Sequence, residues 1–192
     1  TSLRHWTGTR IERITAHSDW RPGILRSGRN PTIYICIAPE ELDASMSLLR
    51  VLIGQHIRAL TGDMPIPASE EILFLLDEFP QLGHMKTIEQ GIEVGRGYKL
   101  KLWLVAQSFG QIRNAYKNAD GMLGQCGLRA FMNPSLHDGT AQKVSDDIGY
   151  YESLLDRSRQ KVIEPQFLSG PQFADKQVIF TQGNKPLLAT KI

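Results

Sequence analysis

Cysteine is scarce in this 192-residue chain: Cys36 and Cys126 are the two present, far apart and without metal-ligand spacing. That excludes a disulfide scaffold and a cysteine-based zinc site, and makes a reducing compartment the default. The five histidines form no paired ligand motif either. No stretch approaches the ~18–20 consecutive apolar residues of a membrane span. The opening Thr1-Ser2-Leu3-Arg4-His5-Trp6 has none of the marks of a signal peptide. It also lacks an initiator Met, so a piece of a longer protein is expected. An excess of charge of one sign is nearly absent: the formal net charge of +2 does not by itself identify a nucleic-acid partner. Such contacts would have to arise from local clusters, Arg21, Arg26 and Arg29 or Arg157, Arg159 and Lys161, each of which also reads as a solvated loop. Internal repeats and low-complexity segments are missing. So is any Gly-x-x-x-x-Gly-Lys-Ser/Thr loop, the backbone cradle and lysine that hold β- and γ-phosphates.

What is present is ordinary for a globular domain, 41% hydrophobic and 22% charged residues. Strand and helix patterns alternate. Residues 32–38 are β-branched and aromatic and predict a strand, with Cys36 as a small buried hydrophobe. Pro39 ends that run. Residues 42–60 carry Leu48, Leu49, Leu52, Ile53, Ile57 and Leu60 on one helical face, with Gly62 as a C-terminal stop. A proline-stiffened connector, Gly62-Asp63-Met64-Pro65-Ile66-Pro67, precedes Ile72-Leu73-Phe74-Leu75-Leu76, which reads as a buried parallel strand covered on both faces. A helix around Lys86–Val94 follows, then a strand over 100–106 and a helix beginning at 111–116. Further on come a strand over Leu128–Met132 and a helix over Thr140–Ile148 closed by Gly149. Residues 150–165 read as a surface excursion. The pairs 177–181 and 187–191, flanking Gly183-Asn184, predict a strand–turn–strand hairpin. The alternation argues for one α/β domain, a mostly parallel sheet flanked by helices.

The most informative feature is the end of the 72–76 strand, where Asp77 and Glu78 stand side by side. Ligands of open α/β sheets bind at the C-terminal ends of strands. In P-loop nucleotide hydrolases one acid at this place holds Mg²⁺ and the next polarises a water. The bland alternative is a strand ending in a solvated acidic turn. Three features follow in order: Arg96 in Val94-Gly95-Arg96-Gly97-Tyr98, Gln107 and Ser108 at the end of the next strand, and Gly124-Gln125-Cys126-Gly127-Leu128-Arg129 entering the fourth.

Together these segments resemble the motor domain of type IV secretion coupling proteins, the TraG/TraD-type ATPases of conjugation. Leu76-Asp77-Glu78-Phe79-Pro80-Gln81-Leu82-Gly83 is similar to the family's Walker B segment and following loop. Leu102-Trp103-Leu104-Val105-Ala106-Gln107-Ser108 is similar to its strand ending in glutamine. Pro31-Thr32-Ile33-Tyr34, the stretch from Thr140 to Gly149, and Gly183-Asn184-Lys185-Pro186-Leu187 also resemble family segments. The similarity runs from about Ile24 onward.

The resemblance implies a RecA-like P-loop NTPase fold lacking the P-loop strand, with residues 1–30 an N-terminal extension packed on a motor portion over 31–192 and a C-terminal β-hairpin. It implies that Asp77 holds Mg²⁺, that Glu78 orients and deprotonates the attacking water, and that Gln107 senses the nucleotide. Arg96 would be the finger that one subunit inserts into its neighbour's ATP site. Arg129 is a second cation candidate. Each has a plainer reading: Arg96 a solvated turn residue, Gln107 a strand cap, Arg129 a salt-bridge partner, and Gly121, Gly124 and Gly127 an ordinary loop. The implied partners are single-stranded DNA or a relaxase–DNA complex and other secretion proteins. The implied setting is a hexamer on the cytoplasmic side of the bacterial inner membrane, with the P-loop and membrane anchor lying N-terminal to the segments seen here. A P-loop-less, non-hydrolysing recruitment or assembly module is the alternative.

Overall fold

The computed structural model describes residues 12, 13, 15–62, 71–153 and 157–191. They fall into two compact units, Thr1–Val105 and Ala106–Ile192. In the first, a short 3₁₀ turn, Pro39–Glu41, leads into helix α1, Leu42–Gly62. Glu40, Glu41 and Asp43 place negative charge at the helix start, complementing its dipole. Ile53, Ile57 and Leu60 recur at helical spacing and are buried, each such burial being worth about 1.5–3 kcal/mol. Strand β1, Ile72–Leu76, pairs in parallel with β2, Leu100–Leu104, in the register Ile72↔Leu100 to Leu76↔Leu104. Helix α2, Lys86–Val94, connects them. Its Gly91 lets the helix approach the sheet: a Cβ there would lie 2.9 Å from Leu102 Cδ1.

The second unit begins with helices α3, Phe109–Ala115, and α4, Ala119–Gln125. An antiparallel sheet follows in the order β3–β6–β7, formed by Leu128–Met132, Lys176–Thr181 and Leu187–Thr190. Helix α5, Thr140–Ile148, and helix α6, Pro165–Leu168, supply Ala141, Val144 and Leu168 to a core with Phe173, Val178 and Phe180. Phe131 meets Phe180 edge-on at 5.9 Å between centroids. A polar two-stranded ribbon, β4 (Tyr150–Glu152) with β5 (Arg159–Lys161), lies between α5 and α6 in sequence. The predicted C-terminal hairpin is present, turning at Gly183 with φ +77°.

Several expectations change. Residues 32–38 form no strand; Tyr34 is 82% exposed and Cys36 is exposed rather than buried. A β-prone segment becomes a strand only beside a ladder partner, and none of the described residues supplies one. The β1–β2 pair is covered on one face, by inward residues such as Ile72 and Leu100, while Leu73 (55%), Leu75 (59%) and Trp103 (61%) stand exposed on the other. The continuous apolar run therefore does not mean that both faces are covered here. Gly121 and Gly124 lie in helix α4 rather than in a loop. The connector at 63–67 lies outside the described residues.

Candidate functional site

Asp77 and Glu78 stand where predicted, immediately after β1. Asp77 is exposed, and one of its carboxylate oxygens accepts the Glu78 backbone N–H at 3.0 Å. Glu78 adopts a left-handed backbone, φ +48° and ψ +37°. For a residue with a Cβ this costs about 1–2 kcal/mol, and such outliers cluster at functional sites. The chain is then caught again: Phe79 N–H donates to the Val105 carbonyl at 3.1 Å, and Val105 N–H to Leu76 at 3.0 Å. Glu78 thus turns the chain directly beyond β1, which ends level with β2 at the pair Leu76↔Leu104. Its Oε2 is buried with no hydrogen-bond partner among the described residues. A buried, unpaired carboxylate oxygen is costly unless something fills it.

The loop after Glu78 is tied down from α1. Arg50 donates from Nη1 to Leu82 O and from Nη2 to His84 O, both at 2.8 Å. A guanidinium fork is suited to two such acceptors at once. Sequence reasoning missed this clamp, and nothing local to Arg50 signals it.

Arg96 lies in the 3₁₀ turn Gly95–Tyr98 before β2, exposed and without an ion-pair partner among the described residues. Parallel pairing puts that turn at the end of the sheet opposite Asp77, with four residue steps of strand, roughly 13 Å, between the two ends. Within one copy of the chain Arg96 and the acidic pair are therefore not brought together. Arg26 holds the turn, donating from Nη2 to Tyr98 O at 2.6 Å and to Leu60 O at 3.3 Å.

Gln107 belongs to the second unit and is exposed. Gln111 grips it twice: Gln107 N–H donates to Gln111 Oε1 at 3.2 Å, and Gln111 Nε2 to Gln107 Oε1 at 3.4 Å. Ser108 caps α3 by accepting Gln111 N–H at 3.3 Å. Asp138 accepts Thr140 N–H at 2.9 Å, and Thr140 Oγ1 accepts Phe109 N–H at 3.2 Å. Burial opposes ionisation of Asp138, but hydrogen bonds from Thr140 and Ser108 hold its carboxyl below the usual range. Gln111, Asp138 and Thr140 were not foreseen; the Gln107–Gln111 spacing across a helix start was the available signal. Arg129 takes its plainer role, paired with Asp147 at 3.0 Å and stacked over Phe180 at 4.9 Å.

The sequence model of the type IV secretory system conjugative DNA transfer family matches residues 1–192. The chain belongs to this family. Among curated members of the conjugative DNA transfer family, it is 32% identical over 152 residues to VirD4 of Rhizobium radiobacter, covering 78% of this chain and 22% of that protein. It is 28% identical over 196 residues to the conjugal transfer protein TraG of Rhizobium radiobacter, covering 91% of this chain and 30% of TraG. The chain thus spans less than a third of either relative. Its fold matches the plasmid coupling protein TrwB in complex with ADP and Mg²⁺, with a TM-score of 0.79 at 16% identity over 92% of this chain and 43% of TrwB. The fold is accordingly the RecA-like α/β fold, here with a parallel pair, helices and C-terminal antiparallel strands. No helix of the described residues is long and apolar enough to cross a membrane.

Proposed function

We propose that this chain is the part of a coupling ATPase that carries the hydrolytic acid pair of a DNA-transfer motor. The carrying observation is Glu78, held in the left-handed region at the C-terminal end of a parallel strand with a buried carboxylate oxygen that nothing described satisfies. A carboxylate in that state accepts a proton or a hydrogen bond from a water placed against it, as a general base must. Asp77 keeps its second oxygen without a partner among the described residues. No cluster of three or more His, Cys, Asp or Glu side chains surrounds it there. A single carboxylate suits Mg²⁺, which keeps its waters and takes its other ligands from substrate phosphates. When bound, that cation neutralises charge on the β- and γ-phosphates of ATP.

Gln107 donates and accepts but cannot take a proton, which suits a sensor of the γ-phosphate. Arg96 lies at the opposite end of the strand pair from the acids in its own copy, so its finger role is exercised on a neighbouring subunit of a homo-oligomer, a hexamer by family resemblance. Fingers of this kind are worth ~10³–10⁵ in rate. The complete protein would move single-stranded DNA or a relaxase–DNA substrate toward the channel from the cytoplasmic side of the inner membrane. The second reading is a non-hydrolysing recruitment or assembly module, in which this stretch, with no phosphate loop of its own, acts without turnover.

Mixed oligomers of the complete protein separate the two. Glu78→Gln and Arg96→Ala each abolish most ATP turnover alone while nucleotide binding persists. Mixing them restores part of it, because some interfaces then carry neither defect. Full turnover by Glu78→Gln removes the base assignment, and a mixture as inactive as its parents removes the finger in trans.

A further inference from the structure

Between α1 and the approach to α2 runs a groove of about 290 Å³ that the acidic site does not use. One wall is a single face of α1, with Arg50, Gly54 and Arg58 at successive four-residue steps. The other is the chain from His84 to Thr87. Gly54 lets the two walls pack closely: a Cβ there would touch Thr87 Oγ1 at 3.6 Å and Met85 Cε at 4.0 Å.

Its charge is one-sided. Arg50, Arg58 and Lys86 line it, Gln55 and Thr87 add neutral hydrogen-bonding groups, and no carboxylate does. The nearby acid Glu89 is already engaged by His84 at 3.1 Å. Arg50 is fixed in place by its two carbonyl bonds, both 2.8 Å. Arg58 and Lys86 are exposed and have neither an ion-pair nor a hydrogen-bond partner among the described residues. Like charges left unpaired beside one another repel, and a polyanion relieves that repulsion.

We propose that this groove grips the phosphate backbone of a single-stranded nucleic acid. The inference rests on the DNA-transfer reading and adds a place of contact to it. Arg50 to Arg58 spans about 12 Å of helix, room for successive phosphates of one strand. A row of cations suits a row of phosphates better than one nucleotide's triphosphate. No Phe, Tyr or Trp lines the groove to stack a base, and the His84 ring is engaged by Glu89 at 3.1 Å, so binding is sequence-independent and strongly salt-dependent.

The test is fluorescence anisotropy of a labelled oligo-dT titrated with this chain at several salt concentrations. Each phosphate contact to a single strand contributes about 0.7 to the slope of log K against log salt. Arg58→Gln with Lys86→Gln therefore lowers that slope by about 1.4 and weakens binding. Both residues are exposed, so folding is retained and is checked by circular dichroism. An unchanged slope in the double variant overturns the proposal, as does failure of the wild-type chain to bind oligo-dT. Binding of anionic vesicles that oligo-dT does not displace assigns the groove to a lipid surface instead. The motor reading is judged separately, by Glu78→Gln turnover in the complete protein: its loss, with groove variants binding normally, sinks the groove alone.

Discussion

Replacing Gly95 with alanine should destabilise the first unit, whereas the same change at Gly97, two residues on, should not. A Cβ at Gly95 would fall 2.9 Å from the Leu100 carbonyl oxygen and 3.5 Å from Leu100 Cβ. The closer atom is backbone and is held. Leu100 opens β2, is 3% exposed, and is registered opposite Ile72. The turn cannot yield easily either, since Arg26 holds Tyr98 O at 2.6 Å and Lys99 N–H bonds Arg96 O at 3.2 Å. Forcing a methyl into such a space costs about 1–3 kcal/mol. A Cβ at Gly97 meets nothing within 4 Å, and its backbone lies outside the left-handed region. There alanine only restricts the unfolded chain and stabilises by about 0.4–1 kcal/mol. For a chain of this size 1 kcal/mol moves Tm by about 2–4 °C, so Gly95→Ala lowers it by about 2–12 °C. Tryptophan fluorescence reads the right part of the molecule, because Trp6, Trp20 and Trp103 all precede residue 106. Urea midpoints that shift equally for the two variants, or not at all, would refute the close-contact argument.

Glu78→Gly should raise the stability of the first unit by up to about 1.5 kcal/mol, the left-handed strain released less the entropy glycine costs, while removing activity from the complete protein; a lower urea midpoint would contradict the strain. The second unit should lose stability as pH falls below about 4. Asp120, bonded chiefly by Lys143, and Asp146, bonded chiefly by Lys161, are held below the usual carboxylate range. Depressed folded values mean that their contribution is complete above the unfolded value of ~3.9 and is lost as protons bind on the way down. Circular-dichroism melts from pH 6 to roughly pH 2.5 check this, and Asp120→Asn should flatten the dependence; a melt insensitive to pH over that range would dismiss these pairs.

What the sequence determined is what local chemistry controls. Helical spacing and a following Gly149 placed α5 at Thr140–Ile148, and a Gly-Asn turn between two β-rich runs placed the hairpin. The apolar run ending in Asp77 and Glu78 set the acids at the tip of a strand, a run of five bounded by polar residues being of strand rather than helix length. Tertiary structure decided everything that depends on distant partners. It left residues 32–38 without a ladder and one face of β1–β2 bare. It set Arg26 against Tyr98, 72 residues away, and Arg50 against Leu82, 32 away. The left-handed turn at Glu78 likewise exists because Phe79 is recaptured by Val105 across the strand pair. Periodicity and propensity act over a few residues, while these arrangements are selected by contacts that form only once the chain has folded back on itself.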